Sequence, residues 1–247
     1  MLDSTRYEAL RTFQKIPPDG TIWNSSKNKD FSKSFRTFLW KTIHKTQKIG
    51  TYWLNITNFE HRGICHRCDA IEDIEHIVFG CDIPGQAIIW SATKDLWAKK
   101  HNYWPGIKCV GSIIGCGLTD FKDEQKKPIP GANRLYKILI SEATYLIWKL
   151  RNERIFKYDS EEQWPPAPEI HNRWLATINA RLTLDRSSTN NKYGTKAIKP
   201  HTILDTWSNI IKNEKDLPVN WIKSPGVLVD VAPSEHQRGP DLPDDPP

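Results

Sequence analysis

At 247 residues the chain is long enough for one large domain, or one domain with a satellite, and its 38% hydrophobic content supplies material for a core. No run of about 18 apolar residues is present to span a bilayer, and residues 1–6 lack the charged-then-apolar order of a secretory signal, so an intracellular protein, nuclear or cytoplasmic, is expected. The net charge of +6 is concentrated: over residues 27–48, Lys27, Lys29, Lys33, Arg36, Lys41, Lys45 and Lys48 face one acid, Asp30, which leaves the rest of the chain formally neutral. Two readings fit that concentration, a surface for a polyanion or a merely solvated helix flank.

Taken in chain order, residues 1–30 are polar and broken by Pro17, Pro18 and Gly20, and read as a weakly ordered lead-in. From Phe31 the pattern changes. Phe31, Phe35, Phe38, Leu39 and Ile43 recur at helical spacing, with Lys33, Lys41, Lys45 and Lys48 mostly opposite and Gly50 placed as a C-cap, so a basic amphipathic helix is predicted. A cysteine-rich module follows, and then a second helix over residues 84–100 with Ile88, Ile89, Ala92, Leu96 and Trp97 as its stripe. Glycine and proline make residues 101–130 a predicted loop.

Residues 133–156 are the most apolar helix, with a face of Leu135, Ile138, Leu139, Leu146, Ile147 and Leu150, and are expected to be central. The Trp164–Pro165–Pro166 stretch is a stiff linker to a helix through Ile170, Trp174, Ile178 and Leu182. A last helix carries Ile203, Leu204, Trp207 and Ile211, and the Pro- and Asp-rich residues 232–247 read as a disordered tail. No alternating strand pattern persists. The expected fold is all-α, an irregular multi-helix protein, with a basic helix plus zinc module over 31–100 and a helical domain over 101–231.

The cysteines carry the clearest chemistry. Cys65 and Cys68 form a Cys-x-x-Cys pair, and His76 and Cys81 follow within 13 residues of Cys68. Zinc takes four thiolate or imidazole ligands in a tetrahedron, and a Cys-x-x-Cys turn places two thiolates on one metal. Residues 71–79 have helical character, which would project His76 while turning Ile74, Ile77 and Val78 inward. Three thiolates around a divalent cation leave a net charge of about −1, which the flanking His61, Arg62, His66 and Arg67 can offset. A catalytic zinc keeps one position open for water; four available ligands close the shell, so a structural site is expected. Cys109 and Cys116 lack a second Cys-x-x-Cys and read as small buried thiols.

Phosphate loops, nucleophile elbows and dinucleotide fingerprints are absent from the sequence. No enzyme activity and no small-molecule substrate are therefore expected. Salt-dependent binding of RNA or DNA through Lys33, Arg36, Lys41, Lys45, Lys48 and Arg67 is the first functional reading. A protein-interaction or relic domain, its tryptophans packed on a partner or on each other, is the second.

The stretch from Arg36 to Trp97 resembles the zinc-binding domain that follows the polymerase in many non-LTR retrotransposon reverse transcriptases. The residues that carry the resemblance are Arg36-Thr37-Phe38-Leu39-Trp40, Ile64-Cys65-His66-Arg67-Cys68, Ile74-Glu75-His76-Ile77-Val78 and Cys81. Further on, Ile138-Leu139-Ile140-Ser141-Glu142-Ala143, Leu146-Ile147-Trp148-Lys149-Leu150-Arg151, His171-Asn172-Arg173-Trp174 and Leu182-Thr183-Leu184-Asp185-Arg186 are similar to the C-terminal part of fungal retroelement proteins of this type. The resemblance implies zinc at Cys65, Cys68, His76 and Cys81, and partnership with nucleic acid, a reverse transcriptase or a ribonucleoprotein. Polymerase and RNase H signatures are missing, so the chain is expected to be a detached C-terminal piece without the family's enzymatic activities.

Overall fold

The computed structural model describes residues 1–158 and 160–231. Among them the chain runs through α1 (Leu2–Phe13), α2 (Asp19–Ser26), α3 (Lys33–Ile43) and the single turn α4 (Thr51–Leu54), then the cysteine-rich module. Beyond it come α5 (Gln86–Ala98), α6 (Val110–Ile114), α7 (Pro130–Phe156), α8 (Ala167–Ser187) and α9 (Pro200–Trp207). Among the described residues strand pairing is limited to isolated antiparallel bridges such as Ile64–Ile71, so the all-α expectation holds.

The organising element is α7, whose 27 residues span about 40 Å at roughly 1.5 Å per residue. Pro130 opens it at the first turn, where a missing N–H costs nothing. The predicted face is buried, and so are Ala132, Ile140 and Ala143 elsewhere round the cylinder. A helix apolar on so many sides has to be enclosed. Helices α3, α5, α8 and α9 pack around it.

Polar groups tie these helices together inside the core. Arg134 of α7 donates through both terminal nitrogens to Asp185 of α8, at 2.6 and 2.8 Å, and through Nε to Asp30 ahead of α3 at 2.9 Å. The Trp207 indole of α9 donates to the same Asp185 at 2.8 Å. Arg134 and Asp185 are both buried, and the bidentate pairing is what makes two buried charges tolerable.

Several elements depart from the sequence reading. Residues 1–30, expected to be weakly ordered, contain α1 and α2. The buried Glu8 carboxylate of α1 accepts from Arg11 and from the Ser112 hydroxyl of α6 at 2.8 Å, which fastens α1 to α6. Residues 101–130, expected to be a loop, contain α6, all five residues of which are buried. Its glycine is a contact rather than a breaker: a Cβ at Gly111 would come within 2.6 Å of the Ser4 carbonyl oxygen.

The basic helix is shorter than predicted. At its start Ser32 accepts from the Phe35 N–H at 3.1 Å. It ends at His44 in a Schellman motif, with Lys45 N–H donating to Thr42 O at 3.1 Å and Thr46 N–H to Lys41 O at 2.9 Å. Lys45 therefore sits in the left-handed region at φ +55°, and Gly50, expected as the C-cap, instead precedes α4 with φ +49°. The expected division at residues 100/101 does not divide the core either, because one cluster of buried apolar side chains is continuous from Ile22 to Val229. The expected tail over residues 232–247 lies outside the described residues.

Candidate metal centre

The module is built from a short hairpin and one helical turn. Cys65 N–H donates to Ala70 O and Asp69 N–H to Cys65 O, both at 2.8 Å, while Glu72 N–H donates to Gly63 O at 2.9 Å. These bonds, with the Ile64–Ile71 bridge, fold the Cys-x-x-Cys stretch back on itself. Asp69 takes φ +52°, a conformation aspartate tolerates at tight turns. The chain then enters a helical turn whose His76 N–H is capped by the Asp73 carboxylate at 2.7 Å.

The predicted regular helix over residues 71–79 is instead a π-helical turn at His76–Gly80, entered through Ile74 and Glu75. That widening is the kind of irregularity found at functional positions. Ile74, Ile77 and Val78 do turn inward and join the main core.

The four predicted ligands converge. The Sγ atoms of Cys65, Cys68 and Cys81 and a ring nitrogen of His76 all lie within 4.8 Å of one another, and no disulfide joins the cysteines. Cys65 Sγ is 3.8 Å from Cys81 Sγ, and Cys68 Sγ is 4.0 Å from it. Thiolates held tetrahedrally at ~2.3 Å from one zinc would be about 3.8 Å apart. His76 Nε2 is buried with no hydrogen-bond partner. A buried ring nitrogen left unsatisfied carries a free-energy cost that a metal bond would remove. The group is able to hold a metal ion.

The electrostatics agree with the donor set. Burial, reinforced by repulsion from Cys65 and Cys68, pushes the Cys81 thiol up to about 12. A divalent cation among the three sulfurs reverses that balance and favours the thiolates. Asp82 N–H donates to Cys68 Sγ at 3.4 Å, a contact suited to a charged sulfur.

The surroundings of the centre were only partly foreseen. Among the flanking basic residues, His66 and Arg67 both engage Glu161, at 3.2 and 3.0 Å, and Arg62 stacks on the Trp53 and Phe59 rings. The charge that the sulfurs meet inside the protein comes from α7. Arg154 shares a small cavity with Cys81, and burial lowers its pKa while the sulfurs of Cys81 and Cys65 oppose that fall. One turn back, Arg151 forms a buried bidentate pair with Glu72. Trp164, from the stretch between α7 and α8, packs against Cys65, Cys81 and Ile83. The signal for the two arginines was their i, i+3 spacing, which puts both on one face of α7.

Of the residues predicted to face nucleic acid, Lys33, Arg36, Lys41, Lys45 and Lys48 are exposed, and among the described residues none of the five forms an ion pair. Arg67 stands apart through its pairing with Glu161. Cys109 and Cys116 are not brought to the centre; Cys116 is buried, which raises its pKa, and Cys109 lies beside the Ser4 and Ser112 hydroxyls. No described helix is long and apolar enough to cross a membrane. No family model matches the chain, and neither a curated protein nor a solved structure matches it.

Proposed function

We propose that the chain is a zinc-stapled helical module of retroelement origin that binds RNA or DNA without itself catalysing a reaction. Zinc is the favoured metal because three thiolates and one imidazole, closely spaced and able to close a tetrahedral shell, are its usual structural donor set. The retroelement origin rests on the residue-by-residue likeness described above. Nucleic-acid binding rests on one observation, the contrast between cations. Two buried arginines of α7 are matched with carboxylates, Arg134 with Asp185 and Arg151 with Glu72. The cations of α3 and the turn after it stand exposed with no carboxylate. Five such groups repel one another unless a polyanion covers them.

The purified chain is expected to hold about one zinc, lost in Cys65→Ser and Cys81→Ser variants; metal-free protein with its module intact would refute the staple. For nucleic acid, fluorescence anisotropy with a mixed-sequence oligonucleotide measures affinity against salt. Five phosphate contacts to a single strand predict a log–log slope of about −3.5, and so a loss on the order of a hundredfold between ~50 and ~200 mM salt. Lys33→Glu with Lys41→Glu, both on the exposed flank of α3, should abolish most of the affinity without changing the fold. Salt-independent binding, or none by the wild type, would favour a protein-interaction or relic domain instead.

A further inference from the structure

A groove of about 670 Å³ opens between the C-terminal end of α3, α4 and the segment linking the hairpin to the π-helical turn. Its size is within the ~300–1,000 Å³ range of small-molecule pockets, enough for a nucleobase and its sugar. Thr42 lines it; that residue is 1% exposed, and its hydroxyl has no hydrogen-bond partner. A buried hydroxyl left unpaired costs free energy that a polar ligand atom would recover. Gln47 and Asn55 add amide groups to the same wall.

Tyr52 also lines the groove and is 41% exposed, with the Lys48 ammonium 5.6 Å from its ring centre. Next to it the aromatic surface continues: Trp53 meets Tyr52 edge-on at 5.1 Å, and the Arg62 guanidinium lies over Trp53 and Phe59 at 5.3 and 4.8 Å. Lys45 reaches the groove from its left-handed turn. The two carboxylates on the lining are already engaged, Asp73 by the His76 N–H and Glu75 by the Val110 N–H at 2.9 Å. The lining thus offers an occupant an aromatic face in Tyr52, a hydrogen-bonding partner in Thr42, and positive charge at the rim from Lys45 and Lys48.

We infer that this groove seats a base of a single-stranded polynucleotide, with Tyr52 stacking on the base, Thr42 bonding its edge, and Lys45 and Lys48 taking the adjoining phosphates. Exposed aromatics interleaved with cations are the usual platform for single strands, whose bases are free to leave the stack. The inference rests on the nucleic-acid reading above and narrows it from any polyanion to a strand with accessible bases.

The test compares a labelled single strand, the duplex of the same sequence and an abasic sugar-phosphate strand of equal length, at one salt concentration, in DNA and RNA versions. The base-bearing strand is expected to bind at least about fivefold more tightly than the abasic one. Tyr52→Ala should erase that preference while leaving abasic binding intact. Thr42→Val, equal in shape, should reduce it, and circular dichroism checks that both variants remain folded. Equal affinity for base-bearing and abasic strands, or a preference unmoved in both variants, overturns the groove assignment and leaves the electrostatic reading standing. Failure of the wild type to bind any strand overturns both.

Discussion

Arg151 and Glu72 are each nearly inaccessible and bonded through two parallel contacts, one of them at 3.0 Å. Two opposite charges out of water are stable only as a pair, because either one alone keeps its full desolvation cost. Arg151→Met should therefore destabilise the chain by about 3–5 kcal/mol. Arg151→Met with Glu72→Leu should recover most of that loss. Denaturant titration of the four forms of this cycle gives the answer, and additive losses in the double variant would show that the pair is not a unit. At this scale the ligands were legible because all four fall within 17 consecutive residues, where chain geometry alone limits what they can do. Arg151, Arg154 and Trp164 were not legible as neighbours of the centre, since periodicity says which face of α7 turns inward but not what it meets there.

At the scale of elements, the end of α3 shows a local rule outweighing a periodic one. The hydrophobic spacing and Gly50 argued for a helix running to residue 49, yet the Schellman bonds close it at His44 and place a lysine where glycine is the cheapest residue. Lys45→Gly is accordingly expected to raise stability by about 0.5–1 kcal/mol while weakening oligonucleotide binding. Opposite signs in the two measurements would identify Lys45 as a residue retained for binding, whereas a gain in both would remove it from the interface. Glycine misled in the other direction over residues 110–118. There Gly111 and Gly117 allow backbone-close packing on Ser4 and Ser25. A single sequence cannot separate a glycine that breaks a helix from one that lets two helices touch. The long α7 was legible because its length and its apolar residues recurring at helical spacing point to a central helix.

At the scale of the whole molecule, the described residues form two buried apolar clusters. The large one unites helices from Ile22 to Val229, and the small one gathers Cys65, Cys81, Ile83, Cys68 and Trp164 about the metal centre. Because the ligand sulfurs do not belong to the large core, chelation should loosen residues 60–85 without unfolding the helices. Limited proteolysis after metal removal is expected to cut in that interval while most of the far-ultraviolet helical signal persists. A cooperative loss of the entire helical signal would instead show that the staple supports the whole fold.

The contacts of the Cys-x-x-Cys hairpin with Glu161 and Trp164 also set an order in time. The last ligand, Cys81, is synthesised about 80 residues before Glu161, an interval of roughly 4–16 s at ~5–20 residues per second. The nascent hairpin thus presents a complete set of donors to the solvent for seconds before its cover is made. On the zinc reading proposed above, metal capture can precede burial by the Glu161–Trp164 stretch, so exchange of a bound ion in the finished protein should be slow compared with its first uptake.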